Sequence, residues 1–177
     1  MPSTDAIDTQ LLDLGLFVIR LVFGLIFAAH GSQKLFGWFG GYGLAGTAGW
    51  LESIGFRPGG RFATAAALAE FVGGLLLALG LLGPVGPALM ISVMIVAMIT
   101  VHKANPFFVS TNGIEHPLMF AVAAFGLALT GPGRYSVDHA LRLERWETPG
   151  LTWIVLAVGV VGGLLQLAVR KPVTKTT

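Results

Sequence analysis

Residues 11–36 read LLDLGLFVIRLVFGLIFAAHGSQKLF. The stretch is apolar except for Asp13, Arg20, His30, Gln33 and Lys34, and it contains no proline. About 20 mostly apolar residues suffice for a helix to cross the hydrocarbon of a bilayer, so the pattern predicts a transmembrane helix. At 100° per residue, Arg20 and Asp13 fall about 20° apart, and Phe23, Phe27, His30 and Lys34 lie within about 80° of Arg20. Gln33 falls on the opposite face. One side of a greasy helix therefore carries a polar and aromatic stripe. An arginine at bilayer depth costs about 2.5–3.5 kcal/mol on insertion scales, so Arg20 is expected to face the bundle and find a partner.

Outward from this helix the same grammar repeats. Residues 37–60 (GWFGGYGLAGTAGWLESIGFRPGG) are too interrupted to span and too hydrophobic for an ordinary wet loop. Trp38, Tyr42, Trp50 and Phe56 suit the headgroup level, which predicts an interfacial or re-entrant piece with a short helix near 44–54. Further spans are expected at about 62–82, 87–101 and 117–130, with a fifth apolar run at 151–169. The short 83–86 turn predicts an antiparallel hairpin. Residues 134–150 read as an interfacial amphipathic helix anchored by Trp146. The fold class is thus all-α, a membrane helical bundle. Residues 1–10 form a polar tail, 11–139 a four-helix membrane domain, and 140–177 an interfacial segment, a fifth transmembrane helix and a basic tail.

Composition agrees. Of 177 residues, 54% are hydrophobic and 11% charged, against about 25% charged in soluble domains; the mean hydropathy is +0.78. With Asp5, Asp8 and Asp13 and no Lys or Arg before the apolar run, the start lacks the basic region of a cleaved signal peptide. The net charge is +2, but the 11 Lys and Arg are scattered among loops and ends, which argues against a nucleic-acid partner. Five spans with the N-terminus outside place Lys34, Arg57, Arg61, Lys103, Arg170, Lys171 and Lys175 inside and Arg134, Arg142 and Arg145 outside. By the positive-inside rule this favours N-out, C-in. There is no cysteine, so thiol nucleophiles, disulfide relays and iron–sulfur ligation fall outside this chain's chemistry.

Several residues are candidates for chemistry. Glu70 lies about eight residues into the second span, and the simplest way to keep it charged is an Arg20–Glu70 ion pair, whether for packing or for function. His30, Lys34, His102, Glu115 and His116 belong to one membrane side under either orientation. Such a rim cluster can hydrogen-bond a quinone carbonyl and move protons; the plain alternative is a solvated loop with capping residues. No paired histidine motif for a metal occurs on a helix, and a metal or haem is not expected. Met90, Met94 and Met98 form an i, i+4 row read as adaptable core packing. Ser136 or Asp138 is expected to cap a helix after the Gly131-Pro132-Gly133 turn.

The order of these features resembles the DoxX family of small bacterial membrane proteins. The resemblance rests on Arg20, Gly24 and His30-Gly31-Ser32-Gln33-Lys34-Leu35-Phe36-Gly37. It continues through Glu70 with Gly73-Gly74, Leu79-Gly80, His102, Glu115 and the run from Gly131 to Asp138. It spans about residues 14–139 and implies a four-helix core, to which residues 151–169 add a fifth helix. It implies a bacterial inner-membrane location and a redox-linked membrane subunit, as in thiosulfate:quinone oxidoreductase and membrane complexes handling oxidative and thiol stress. Under that reading His30, Lys34, His102 and Glu115 are the catalytic candidates. Arg20, His30, Glu70 and His102 are the cofactor-binding candidates, with quinone as the cofactor and partner subunits or further copies in the bilayer. The alternatives are a non-catalytic scaffold that anchors a larger complex through the fifth helix and the Gly-rich segment, and a small-molecule transporter. The short chain without an inverted repeat argues against transport.

Overall fold

The computed structural model describes residues 4–171. Among them there is no strand. Helix α1 spans Thr4–Phe36, and its apolar part, Thr9–Phe36, is long enough to cross a membrane. It stops where Gly37 turns left-handed, at φ 73°. A 3₁₀ turn, Trp38–Gly40, leads into α2, Gly43–Ser53, which lies against α3, Gly59–Leu79. At 11 residues, or about 16 Å, α2 is too short to cross. It matches the short helix expected near 44–54, and Trp38, Tyr42 and Trp50 around it are exposed.

Helix α4, Val85–Ala97, continues through a π-helical turn, Met98–His102, with Lys103 N–H donating to the Met98 carbonyl at 2.8 Å. Helix α5, Glu115–Thr130, is shorter at 16 residues, about 24 Å against a hydrocarbon core of about 30 Å. Pro117 falls in its first turn, where its missing N–H is no loss. Helix α6 is Val137–Ala140, and α7, Pro149–Ala168, opens on a Thr148 cap.

The helices alternate in direction across the membrane. Gly24 of α1 lies against Gly74 and Ala78 of α3, and Gly31 against Phe71, an antiparallel register. A Cβ at Gly24 would meet backbone, so this seam depends on small residues for close approach. Gly86 packs on Leu77 and Gly73 in the α3–α4 hairpin, while Gly159 and Gly163 of α7 pack on Ala88 and Ser92 of α4. Arg134 N–H donates to Asp13 at one end of the bundle; Lys171 N–H donates to the Gly55 carbonyl at the other. The chain is therefore a multi-pass, all-α membrane bundle, a four-helix core of α1, α3, α4 and α5 with α7 added on the outside of α4. Phe27, Leu77, Met90, Met94, Phe120, Ala124, Leu127 and Leu156 form its core, which places the methionine row in packing, as read from the sequence. Most of α7 faces outward, with Trp153, Ile154, Val158 and Leu165 exposed, as lipid contact requires.

One expected element is different. Residues 134–150 do not form a continuous amphipathic helix. After α6 the chain turns left-handed at Arg142, φ 58°, and makes only a 3₁₀ turn, Leu143–Trp146. The cause is the docking of α6 onto the α3–α4 turn. Asp138, fully buried, accepts from Leu82 N–H at 3.0 Å and Gly83 N–H at 2.7 Å, and its own N–H donates to the Gly80 carbonyl at 3.0 Å. Ser136 caps α6 by accepting from His139 N–H at 3.1 Å. The Trp146 side chain, expected as an anchor, and Lys175 lie outside the described residues.

Candidate functional site

The polar residues of the membrane interior divide into two groups at opposite ends of the bundle. At one end Arg20 is buried, 2% exposed. Its guanidinium donates to three carbonyls: Ala78 at 3.4 Å, Tyr135 at 2.5 Å, and Pro132. Gly80, left-handed at φ 62°, leaves the space that this guanidinium occupies; a Cβ there would strike it. The fork geometry of arginine suits three backbone acceptors spread over two segments. Arg20 thus ties α1 to the end of α3 and to the loop after α5, beside the buried Asp138.

The expected Arg20–Glu70 pair does not form. Glu70 pairs instead with Lys34. Antiparallel packing decides this. With Gly24 opposite Gly74 and Ala78, residue 20 meets the end of α3, and residue 70 meets α1 near 31–34. Arg20 is therefore about 15 Å along α1 from His30 and is separate from the cavity described next.

At the other end α1, α3, α4 and α5 enclose an open cavity of about 160 Å³. Its floor, toward the bilayer centre, is Phe27, Met94 and Phe120. Its polar wall is His30 and Lys34 from α1, Glu70 from α3, His102 from the π turn of α4, and His116 from α5. The His30 and His116 rings meet edge to face with centroids 5.9 Å apart. His116 also rests on Phe120 at 4.9 Å, and Phe120 on Phe23 at 5.2 Å. Glu70 is 5% exposed and Lys34 26%. One of the three lysine protons satisfies Glu70, which leaves donors free to face the cavity. His102 is held by its Nδ1, 2.8 Å from the Asn112 carbonyl. If Nδ1 is the donor there, Nε2 is left as an acceptor.

Four of the six candidate residues thus converge: His30, Lys34, Glu70 and His102. Arg20 does not. Glu115 does not line the cavity either; its carboxylate accepts from Val109 N–H at 2.7 Å and holds the 103–114 loop closed at the start of α5. Its neighbour His116 takes the place facing His30. The signal was present in the sequence, since His116 and Phe120 share a helix face at i, i+4 spacing, and Pro117 marks where α5 begins. Among the described residues, no three His, Cys, Asp or Glu side chains converge as a metal ligand set.

Chemically, the site offers imidazoles on two facing helices, an ammonium fixed by a buried carboxylate, and an aromatic floor. These groups can hydrogen-bond a small polar ligand and exchange protons with it.

A family model described as DoxX matches residues 15–103, which include His30, Lys34, Glu70 and His102. A protein of Bacillus subtilis (strain 168) named "Putative oxidoreductase CatD" is 29% identical over 126 residues, 71% of this chain and 86% of that protein. No solved structure matches the chain.

Proposed function

This chain belongs to the DoxX family, and from that premise we propose that it is the membrane subunit of a quinone-linked oxidoreductase. The observation that carries the reading is the convergence of His30, Lys34, Glu70, His102 and His116 on one cavity with an aromatic floor. The oxidoreductase name of the Bacillus subtilis relative supports the redox class. Reducing a quinone takes two electrons and two protons. The chain has no cysteine, so the electrons come from a partner subunit carrying a reduced donor, in the manner of a thiosulfate:quinone oxidoreductase. The residues of this chain position the ring and deliver protons. His30 and His116 hydrogen-bond its oxygens, His102 closes the water side, and Lys34, held by Glu70, returns protons to the site.

The protein lies in the bacterial inner membrane, N-out and C-in. The end that holds the cavity carries Lys34, Arg57, Arg61, Lys103, Arg170 and Lys171, against Arg134, Arg142 and Arg145 at the other, so the cavity lies toward the cytoplasm.

The test is turnover of the purified complex with quinone. His30→Ala and His102→Ala are expected to lower it about 10²-fold or more, the scale of positioned acid–base groups, while assembly is unchanged. Unchanged turnover and quinone affinity would sink the proposal. A second reading, a scaffold that anchors a larger complex, is favoured by the outward face of α7 and its apolar groove with α5. It predicts the reverse: full turnover in the histidine variants, and loss of co-purifying subunits when the exposed face of α7 is substituted.

A further inference from the structure

We propose that the cavity takes its ligand sideways from the bilayer through the seam between α1 and α5, head first, so that a hydrocarbon tail remains in that seam. The proposal rests on the quinone-site reading and specifies its substrate class: a membrane-dissolved quinone with a long apolar tail, as opposed to a water-soluble one.

Three observations carry it. The first is size. At about 160 Å³ the cavity is smaller than ordinary ligand pockets, which run about 300–1,000 Å³. A single ring fits; a tail does not, and must lie outside. The second is how the seams are sealed. α1 against α3, α3 against α4 and α4 against α7 meet through glycines whose added Cβ would strike the neighbouring helix. Between α1 and α5 there is no such approach: Gly24 and Gly31 of α1 meet α3, and the remaining glycines of the two helices, Gly15 and Gly126, meet no neighbouring helix. Side chains alone bridge it, at Phe23–Phe120 and His30–His116.

The third is the position of the opening. His116 is exposed and His30 half-buried, and His30 sits about 9 Å below the end of α1, within the apolar run. Next to the cavity rim the 103–114 loop is folded back on the ends of α4 and α5, tied by Asn112 to His102 and by Glu115 to Val109. Toward the bilayer centre, Ile26 lies on the His30 face of α1 at i−4 and Met119 on the His116 face of α5 at i+3. They are 43% and 58% exposed. They make an apolar track leading away from the two histidines, with Phe23 between them.

The experiment uses the full chain in lipid nanodiscs and two probes: a quinone with an isoprenoid tail and the same ring without one. Ile26→Trp/Met119→Trp fills the track while leaving every cavity residue in place. Val158→Trp, on the lipid face of α7, is the control. The track variant is expected to bind the tailed quinone at least ten-fold more weakly and the tailless ring within two-fold of the parent, with the control unchanged for both. Equal affinities for the tailed quinone in parent and track variant overturn the lateral route, as does an equal loss for both probes. His30→Ala/His116→Ala separates the two claims. If it abolishes binding of both probes while the track variant is silent, the site stands and the route falls. If it leaves both bound, the site itself is wrong.

Discussion

Arg20→Ala is expected to destabilise the protein by about 3 kcal/mol or more. Three carbonyls, on Ala78, Pro132 and Tyr135, lose their donor together. A buried acceptor left unsatisfied costs about 1–3 kcal/mol. The same region holds Asp138, whose caps on Leu82 and Gly83 fix the α3–α4 turn. Loosening α6 therefore propagates to the hairpin. Thermal unfolding in detergent should shift downward by about 6–12 °C, at 2–4 °C per kcal/mol for a chain of this size. Arg20→Lys should recover little, because an ammonium cannot fork to three acceptors on two segments. Quinone affinity of the folded fraction should be retained, since the cavity lies at the other end of α1.

The second large effect concerns the Lys34–Glu70 pair. Lys34→Met leaves a carboxylate 5% exposed with its ammonium gone, and breaking a buried pair from one side costs about 3–5 kcal/mol. Lys34→Met/Glu70→Leu removes both charges. Replacement of a buried pair by apolar groups is often neutral or stabilising, so the double variant should return to within about 1 kcal/mol of the parent stability. Turnover with quinone should stay about 10²-fold down in both. Recovery of stability without activity separates a pair that serves chemistry from one that only pins two helices. Recovery of both in the double variant assigns the pair to packing.

The long apolar helices, the short helix near 44–54 and the hairpin were legible in the sequence because each rests on local rules: a run of apolar residues, with Gly or Pro at the breaks. The segment 134–150 was not, because Asp138 answers to a turn more than fifty residues earlier. Local pattern shows that an aspartate follows a serine cap; it does not show which orphan N–H groups the aspartate reaches.

The site was legible in part for the same reason. Stripe periodicity on α1 and the shared membrane side of the rim residues bring His30, Lys34 and His102 together from the sequence alone. The Arg20–Glu70 pairing failed on register. Each residue sits some way in from its own helix start, but α1 and α3 run in opposite directions, so similar positions along the two helices lie at different depths. The close contact of Gly24 with Gly74 fixes the offset, and that contact depends on how two helices slide past each other. Glu115 and His116 differ by one residue, hence about 100° around α5. Which of them faces the cavity follows from where the helix begins, and Pro117 in the first turn settles that start.

The contact of the quinone ring with His30 and His116 is the point most directly open to measurement. A ring-labelled photoreactive quinone, irradiated with the protein in native membranes and mapped by peptide mass, measures this. Adducts are expected on residues 27–34 of α1, 93–102 of α4 and its π turn, and 116–120 of α5, suppressed by excess unlabelled quinone and lost in His30→Ala/His116→Ala. Adducts confined to the apolar groove between α5 and α7, or labelling that unlabelled quinone does not suppress, would contradict it.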